Sequence, residues 1–374
     1  MKVYIIAGEA SGDLHAADLI HELKKNISSL SIRAWGGDLM KDEGAEIVKH
    51  YRDLAFMGFT EVILNLRTIL KNIDFCKKDI LDYKPDAVIL VDYPGFNLRI
   101  AEFVKKQGLP VYYYISPQVW AWKSSRVKKI KEVVDKMFVI LPFEKEFYNK
   151  FNYDVEYVGH PLPDVIKRKQ KSFSDFKAFQ IKYSLNDKPI IALLPGSRKQ
   201  EIETMLPLML TVKEKFPEYQ FIVAAAPSQA EKFYKKFISD DVNLIADSTY
   251  ELLSHSYAAL VTSGTATLET ALLNVPQVVC YKGGEISYFI AKSLVKIKFI
   301  SLVNLIMNKE VVKELIQNNL NTNSLFLELK KILDQDQRDK IFSDYKLLQE
   351  KLNTGGAATK TANLIVEHLG KALK

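Results

Sequence analysis

Short runs of apolar, often β-branched residues alternate along the chain with stretches in which apolar residues recur every three or four positions. The first pattern predicts buried strands and the second predicts amphipathic helices. Their alternation over the whole chain indicates parallel sheets that are covered by helices on both faces. The strands that we predict lie at residues 2–7, 31–35, 87–91, 111–115, 137–141 and 155–158 in the first half and at 190–194, 220–225, 243–245, 258–262 and 277–281 in the second.

The length of the chain predicts two domains, because 374 residues exceed the size at which one hydrophobic core normally keeps growing. The polar stretch from Pro161 to Lys188 is typical of a connection between domains, and the tail from Asn308 onward is predicted to be helical, with Gly355-Gly356 between its last two helices. We therefore predict an α/β fold of two Rossmann-like, doubly wound domains that face a cleft, with ligands at the carboxyl ends of the strands. The expected ranges are 1–165, 166–345 and, for a C-terminal helix, 346–374.

Composition narrows the class of protein. Hydrophobic residues make up 48% of the chain and charged residues 26%, the balance of a folded soluble protein, and no apolar run reaches the roughly 18 residues of a membrane helix. The apolar start passes directly into Glu9 and Asp13, which favours a first strand over a signal peptide. Cys76 and Cys280 are too few for a disulfide framework or a thiol metal cluster, so a cytosolic location is the simplest interpretation. The net charge of +7 favours anionic partners without identifying one.

Two turns in the second half have the form of phosphate-binding loops. The strand at 190–194 enters Pro195-Gly196-Ser197-Arg198 before a helix expected near Gln200. Gly196 permits close backbone approach, the start of the helix offers N–H groups to an anion, and Arg198 adds a cation. An ordinary turn with a solvated arginine is the alternative.

The second turn, Ser263-Gly264-Thr265, follows the strand at 258–262 in the same way. Ser263 and Thr265 are suited either to capping the next helix or to binding a diphosphate. Glu269 lies one helical turn further on, where a carboxylate would accept both hydroxyls of a ribose or simply face the positive end of the helix. Two such turns in one half favour nucleotide binding.

In the first half, the glycine spacing of Gly8 to Asp13, before a helix expected to start near Leu14, departs from the dinucleotide fingerprint, so NAD is not expected. Asp92 stands at the end of the strand at 87–91, where it is either a general base whose pKa is raised by partial burial or a turn residue. The six histidines are scattered, and we predict neither a metal site nor a cofactor.

Between Met57 and Asp74 the apolar residues follow one helical stripe, a pattern that indicates core packing or contact with a membrane interface. The stripe consists of Phe59, Val62, Ile63, Leu66, Ile69, Leu70 and Ile73. The segment from Trp120 to Lys131 combines two tryptophans with five cations, a pattern that suits single-stranded nucleic acid, an anionic membrane or a solvated helix face equally well.

Together these segments resemble the lipid-A-disaccharide synthases, the bacterial enzymes that condense two acylated glucosamine units. The resemblance runs from residue 7 to about residue 320 as an ordered series of motifs. They are Ala7-Gly8-Glu9-Ala10-Ser11-Gly12-Asp13, Met57-Gly58-Phe59-Thr60-Glu61-Val62, Val91-Asp92-Tyr93-Pro94-Gly95-Phe96-Asn97, Ser116-Pro117-Gln118-Val119-Trp120-Ala121-Trp122, Leu141-Pro142-Phe143-Glu144, Gly159-His160-Pro161, Leu194-Pro195-Gly196-Ser197-Arg198, Ser263-Gly264-Thr265-Ala266-Thr267-Leu268-Glu269 and Ser301-Leu302-Val303-Asn304-Leu305.

The resemblance implies an inverting glycosyltransferase of the GT-B type whose C-terminal helix returns to the first domain. It implies UDP-2,3-diacylglucosamine as donor and 2,3-diacylglucosamine 1-phosphate as acceptor, with a β-1,6-linked disaccharide 1-phosphate and UDP as products. Asp92 becomes the expected base on the acceptor 6-hydroxyl. The residues expected at the donor are Gly196, Ser197, Arg198, Ser263, Gly264, Thr265, Glu269 and Asn304, and those on the acceptor side are Glu9, Ser11, Gly12 and Asp13.

The resemblance also favours membrane contact for Phe59, Val62, Ile63, Leu66, Ile69 and Leu70. It places the protein in the cytoplasm, bound peripherally to the anionic inner face of the inner membrane, with no nucleic-acid partner and with a homodimer left open. One departure is Gly95, where many members have a second aspartate. Two alternatives remain at this point: an enzyme like UDP-N-acetylglucosamine 2-epimerase, and a membrane-associated protein that only binds nucleotide sugars.

Overall fold

The computed structural model describes residues 1–54, 66–122, 124–284, 298–352 and 355–372. Contacts within the chain group it into two compact units. The first consists of Met1–Pro161 together with Thr354–Lys374, and the second of Leu162–Asn353. Each unit contains one parallel sheet, as the alternating pattern of the sequence predicts.

The sheet of the first unit has seven strands in the order β3-β2-β1-β4-β5-β6-β7. Its strands are β1 (Lys2–Ala7), β2 (Ser31–Gly36), β3 (Glu46–His50), β4 (Ala87–Val91), β5 (Val111–Tyr114), β6 (Lys136–Val139) and β7 (Glu156–Tyr157). The sheet of the second unit has six strands in the order β10-β9-β8-β11-β12-β13. Its strands are β8 (Ile190–Leu194), β9 (Gln220–Ala225), β10 (Asn243–Ala246), β11 (Ser256–Thr262), β12 (Gln277–Tyr281) and β13 (Lys313–Ile316).

Helices follow most strands and supply the crossovers that parallel pairing requires. In the first unit they are α1 (Ala10–Asn26), α2 (Asp38–Asp42), α3 (Leu66–Tyr83), α4 (Pro94–Lys106), α5 (Val119–Trp122), α6 (Arg126–Val133) and α7 (Pro142–Asn149). The second unit contains α8 (Leu162–Gln170), α9 (Phe176–Tyr183), α10 (Lys199–Leu210), α11 (Glu231–Tyr234), α12 (Thr249–Ser254), α13 (Thr265–Leu272), α14 (Leu302–Met307), α15 (Thr322–Leu333) and α16 (Gln335–Leu352). The last helix, α17 (Ala357–Ala372), belongs to the first unit.

Alternate residues of the strands build a core on each face of the first sheet. Tyr4 and Ile6 of β1 pack into one core, and Val3 and Ile5 pack into the other. This follows from the two-residue period of a strand, which sends successive side chains to opposite faces. The second of these cores includes Leu369 of α17, so the C-terminal helix packs on the first unit.

Strand order places ligand-binding positions in both units. In an open parallel sheet, ligands bind beyond the carboxyl ends of the strands, where the strand order reverses. In the first sheet this point lies between β1 and β4, so Glu9 and Asp92 follow the two strands that flank it. In the second sheet it lies between β8 and β11, so Gly196 and Gly264 follow the flanking strands.

The structure corrects the predicted elements at several points. Strands β3 and β13 were not predicted, and β13 interrupts the tail that we expected to be entirely helical from Asn308. Both are edge strands with charged residues, so their apolar pattern is weak. The polar stretch from Pro161 to Lys188, predicted as a connection between domains, begins where the two units divide and contains α8 and α9. Helix α1 begins at Ala10 rather than near Leu14.

Candidate active site

A cavity of about 830 Å³ lies in the second unit, at the point where its strand order reverses. Its wall combines the turns after β8 and β11 with residues of α8, α12 and α13. The lining includes Gly196, Ser197, Arg198, Ser263, Gly264, Thr265 and Glu269. The fold therefore brings seven of the eight expected donor residues to one cavity, although more than sixty positions separate the two turns.

The turn after β8 depends on glycine at position 196. Gly196 has a φ of +108°, and a Cβ there would lie 2.8 Å from the Cβ of Glu201. Glu201 Oε2 accepts hydrogen bonds from the backbone N–H groups of Ser197, at 3.1 Å, and Arg198, at 3.3 Å. The Arg198 side chain is 66% exposed, and its guanidinium lies 3.6 Å from Glu201 Oε1. An anion at this turn therefore meets the Arg198 cation beside a helix start whose first N–H groups are already bonded to Glu201.

Among the residues that the structure describes, no side chain caps the start of α13 after the turn that follows β11. Ser263 donates its hydroxyl hydrogen to the carbonyl of Ile300, at 3.1 Å, and Gly264 at the N-cap has no side chain to offer. Thr265 is exposed as the first residue of the helix. Neither hydroxyl caps α13 within the described part of the chain, and the first residues of the helix, Thr265 and Ala266, line the cavity, where a helix start favours an anion.

Glu269 lies inside α13 and faces the same cavity. Tyr250 donates its hydroxyl hydrogen to Glu269 Oε1 at 2.8 Å. Burial raises the pKa of Glu269, while the bond from Tyr250 and the charge of Lys169 lower it. The carboxylate is thus a partly desolvated acceptor, suited to hydroxyl donors of a ligand.

Asn304 does not line this cavity. Its side chain is fully buried in α14 and makes four hydrogen bonds with the segment from Val311 to Glu314. Its Nδ2 donates to Val312 O and Glu314 Oε1, both at 2.8 Å, and its Oδ1 accepts from the N–H groups of Val311 and Val312 at 2.7 and 3.0 Å. An amide has two donors and two acceptor positions, so this side chain is saturated and the structure gives it a structural role.

Asp92 occupies the turn between β4 and α4 in the first unit. It has a φ of +46° and Tyr93 a φ of +48°, a conformation that non-glycine residues adopt rarely. The carbonyl oxygen of Asp92 accepts from Asn97 Nδ2 at 2.8 Å and from the Tyr113 hydroxyl at 2.5 Å, which fixes the turn. Such strain, held by surrounding bonds, is typical of functional positions.

The carboxyl group of Asp92 titrates far from its usual range. Its pKa is raised to about 6, chiefly by burial and then by the negative charge of Glu9, against a lowering effect of the Tyr93 N–H. Glu9 directly precedes α1 and follows β1, the strand that pairs with β4 at the point where the strand order reverses. A pKa near 6 is close to that of an effective general base at neutral pH.

The other residues expected on the acceptor side have different positions. Ser11, Gly12 and Asp13 lie in the first turn of α1 rather than in a loop, and Ser11 is exposed. The Asp13 carboxylate is buried and accepts from the N–H groups of Gly37, Leu39 and Met40, at 2.7 to 3.2 Å. Asp13 thus holds the start of α2 through three backbone N–H groups.

Only part of the apolar stripe can be located. Phe59, Val62 and Ile63 lie outside the described residues, and Leu66 begins α3 without a described side chain. Ile69 packs against the core, whereas Leu70 is 49% exposed. The basic segment forms α5 and α6; Val127 and Ile130 are buried in α6. Lys128 and Lys129 are exposed. An exposed basic face fits each of the three interpretations of the segment from Trp120 to Lys131, so the choice among them stays open.

Three residues that line this cavity were not predicted from the sequence. Glu201 orders the first turn, Tyr250 binds Glu269, and Lys169 lies with its ammonium 4.8 Å from the centre of the Tyr250 ring. A capping-box pattern, Arg198 followed by Glu201, was the available sign for Glu201. Within the described ranges, no group of three or more metal-ligating side chains comes together, and no helix is long and apolar enough to cross a membrane.

Solved structures share this fold. The UDP-GlcNAc 2-epimerase from Neisseria meningitidis bound to UDP-GlcNAc has a TM-score of 0.67 at 16% identity, with 99% of this chain and 100% of that chain covered. The glycotransferase of kitacinnamycin has a TM-score of 0.65 at 11% identity, covering 98% and 99%. These likenesses confirm the predicted GT-B type of fold, with two doubly wound parallel sheets.

Sequence similarity identifies the family within that class. The model of the family described as lipid-A-disaccharide synthetase matches residues 3–367. The lipid-A-disaccharide synthase of Syntrophus aciditrophicus is 41% identical, with 99% of this chain and 98% of that protein covered, and the one of Geobacter sulfurreducens is 34% identical with the same coverage. This chain belongs to the lipid-A-disaccharide synthase family, and it is a hexosyl-transferring glycosyltransferase. The family resemblance inferred from the motifs is confirmed.

Proposed function

We propose that this protein transfers a diacylglucosamine unit from UDP-2,3-diacylglucosamine to the 6-hydroxyl of 2,3-diacylglucosamine 1-phosphate, giving a β-1,6-linked disaccharide 1-phosphate and UDP. The observation that carries the proposal is the cavity of about 830 Å³ in which two helix starts, Arg198 and Glu269 converge. Family membership supports the acylated sugars as substrates, since the fold alone is shared with epimerases.

The donor binds through its diphosphate and its ribose. The phosphates approach Gly196 and the uncapped start of α13, where backbone N–H groups and two helix dipoles favour negative charge. Arg198 adds a charge-assisted bond on the exposed side. Glu269 accepts hydrogen bonds from the ribose hydroxyls. The same groups stabilise UDP as it leaves, so they contribute to the transition state as well as to binding.

Asp92 serves as the base. As the 6-oxygen of the acceptor attacks the anomeric carbon, its proton passes to the Asp92 carboxylate, and the bond from the anomeric carbon to the phosphate oxygen breaks with its electron pair on UDP. Attack opposite the leaving group inverts the anomeric configuration. Gly95 leaves Asp92 as the only acid of its motif. A Cβ at Gly95 would meet none of the described residues within 4 Å, so the backbone there does not require glycine.

The acylated substrates reach the enzyme at a membrane. We propose that the protein binds peripherally to the anionic inner face of the inner membrane, with the apolar stripe from Phe59 to Leu70 in contact with lipid. Leu70 supports this, because it is half exposed on α3, one position from the core residue Ile69. The net charge of +7 favours the same surface.

A coupled assay of UDP release tests the reaction. Wild-type protein is expected to release UDP only when both the acylated donor and the acylated acceptor are present, and to yield a disaccharide by mass spectrometry. Asp92→Asn, which keeps the shape of the side chain, is expected to lower kcat about 10²- to 10⁴-fold. Conversion of UDP-N-acetylglucosamine to its 2-epimer without acceptor, or full activity in Asp92→Asn, would contradict the proposal.

Sedimentation with anionic vesicles tests the membrane contact. Leu70→Glu is expected to lower the bound fraction. Leu347→Glu on α16 is the matched control, since Leu347 is 46% exposed and Leu70 is 49% exposed. Equal loss in both variants, or none in Leu70→Glu, would remove the membrane assignment from this stripe.

A further inference from the structure

Three side chains from three helices meet on one wall of the donor cavity. They are Lys169 near the end of α8, Tyr250 in α12 and Glu269 in α13, and all three line the cavity. The family motifs that identify this chain include Glu269 but neither of the other two residues. Their arrangement gives them a role in how Glu269 meets a ligand.

Tyr250 determines where one oxygen of Glu269 points. Its hydroxyl donates to Oε1 at 2.8 Å, and within the described part of the chain it is the only hydrogen-bond donor to this carboxylate. A carboxylate has two oxygens in one plane, so a donor fixed on Oε1 leaves Oε2 for a second donor. Glu269 is partly buried. A carboxylate at such a position is destabilising unless both of its oxygens have hydrogen-bond donors.

Lys169 contacts the ring of Tyr250. Its ammonium lies 4.8 Å from the centre of the Tyr250 ring, within the range of a cation–π interaction. Tyrosine has few rotatable bonds, so a ring held between a cation and a carboxylate keeps one orientation. The positive charge of Lys169 also favours the ionised form of Glu269, the form that only accepts hydrogen bonds.

We propose that Tyr250 is a positioning residue that holds Glu269 Oε1, so that Oε2 accepts from the ribose hydroxyls of the nucleotide, and that it thereby makes the cavity select ribonucleotides over 2′-deoxyribonucleotides. The inference rests on the proposed donor site and goes beyond it, because it assigns the selectivity to a residue that does not itself contact the sugar. When a ligand lacks a hydroxyl that a site is arranged to bind, a buried polar group of the protein is left unpaired. Such sites therefore discriminate strongly against ligands without the hydroxyl.

Isothermal titration calorimetry with UDP and 2′-deoxy-UDP tests the proposal. Wild-type protein is expected to bind UDP about tenfold or more tightly than 2′-deoxy-UDP, the effect of one hydrogen bond to a charged group. Tyr250→Phe is expected to weaken UDP binding and to bring the two affinities within about threefold. In a Glu269→Ala background, Tyr250→Phe is expected to leave the ratio unchanged, because the positioned group is gone.

Tyr345→Phe is the matched structural control. Tyr345 is fully buried, and its hydroxyl accepts a hydrogen bond from Gln277 Nε2 and donates one to the carbonyl of Val275. The variant is therefore expected to lose stability without changing the ratio of the affinities for UDP and 2′-deoxy-UDP. Should Tyr250→Phe not fold, Lys169→Gln is the substitute variant, since Lys169 is exposed. Lys169→Gln is also expected to bring the affinities for UDP and 2′-deoxy-UDP closer together.

Equal affinities of wild type for the two nucleotides, or an unchanged ratio in Tyr250→Phe or in the substitute variant, would overturn this inference while leaving the donor site in place. Absence of UDP binding by wild-type protein would remove the proposed donor site, and this inference with it.

Discussion

The pKa of Asp92 predicts a specific loss of activity in mild acid. With a pKa of about 6 rather than 3.8, roughly 90% of Asp92 is ionised at pH 7 and roughly 9% at pH 5. Because only the ionised form accepts the proton of the acceptor, and because kcat/KM reports the ionisation of the free enzyme, kcat/KM for the acceptor should fall about tenfold between these pH values. With an ordinary aspartate the same change would cost less than about 10% of the rate.

The assay is UDP release from pH 5 to pH 8, with circular dichroism at each pH to show that the protein stays folded. The phosphate of the acceptor also titrates near pH 6, so the residual activity of Asp92→Asn must be measured over the same range. A loss due to the acceptor persists in this variant, whereas a loss due to Asp92 disappears. Glu9→Gln removes a negative charge that raises the pKa of Asp92, so the midpoint of the pH–activity profile of this variant should move to lower pH. A rate that is flat down to pH 5, or a profile that Asp92→Asn shares with wild type, would refute the assignment of Asp92 as the base.

Three further predictions concern single residues. Gly196→Ala should raise the Kd of UDP at least about tenfold in calorimetry, because its Cβ would displace Glu201 from the turn; an unchanged Kd would contradict this. Asn304→Ala should lower the free energy of unfolding in urea by about 3 kcal/mol, since it strips partners from buried backbone groups, whereas the exposed control Asn318→Ala should change it little. Burial raises the pKa of Glu144 to about 7 from 4.5, so its protonated form is favoured by folding and its stabilising effect, complete below pH 4.5, is lost as the pH rises through 7. Glu144→Gln should therefore flatten the decline in stability across that window, and an unaltered slope would count against this origin.

The sequence determined the elements whose pattern is local. Strand β8 and strand β12 have the bounds that their apolar runs predict, and the turn at Gly196 lies where a glycine between a strand and a helix predicts it. Such predictions succeed because burial of a central strand leaves a continuous apolar run in the sequence itself. The ordered motifs then identified the family without any knowledge of contacts.

Only the tertiary structure decided the roles of individual polar side chains. Asp13 has partners 24 to 27 positions away along the chain, Tyr250 has its partner 19 positions away, and Asn304 bonds residues 7 to 10 positions away. The edge strands β3 and β13 could not be predicted from the sequence. Half-exposed strands carry charged residues, and what defines them is the neighbouring strand with which they pair. An apolar pattern records how deeply each residue is buried, whereas a hydrogen-bond partner depends on which strands lie side by side, and that is set by the path of the whole chain.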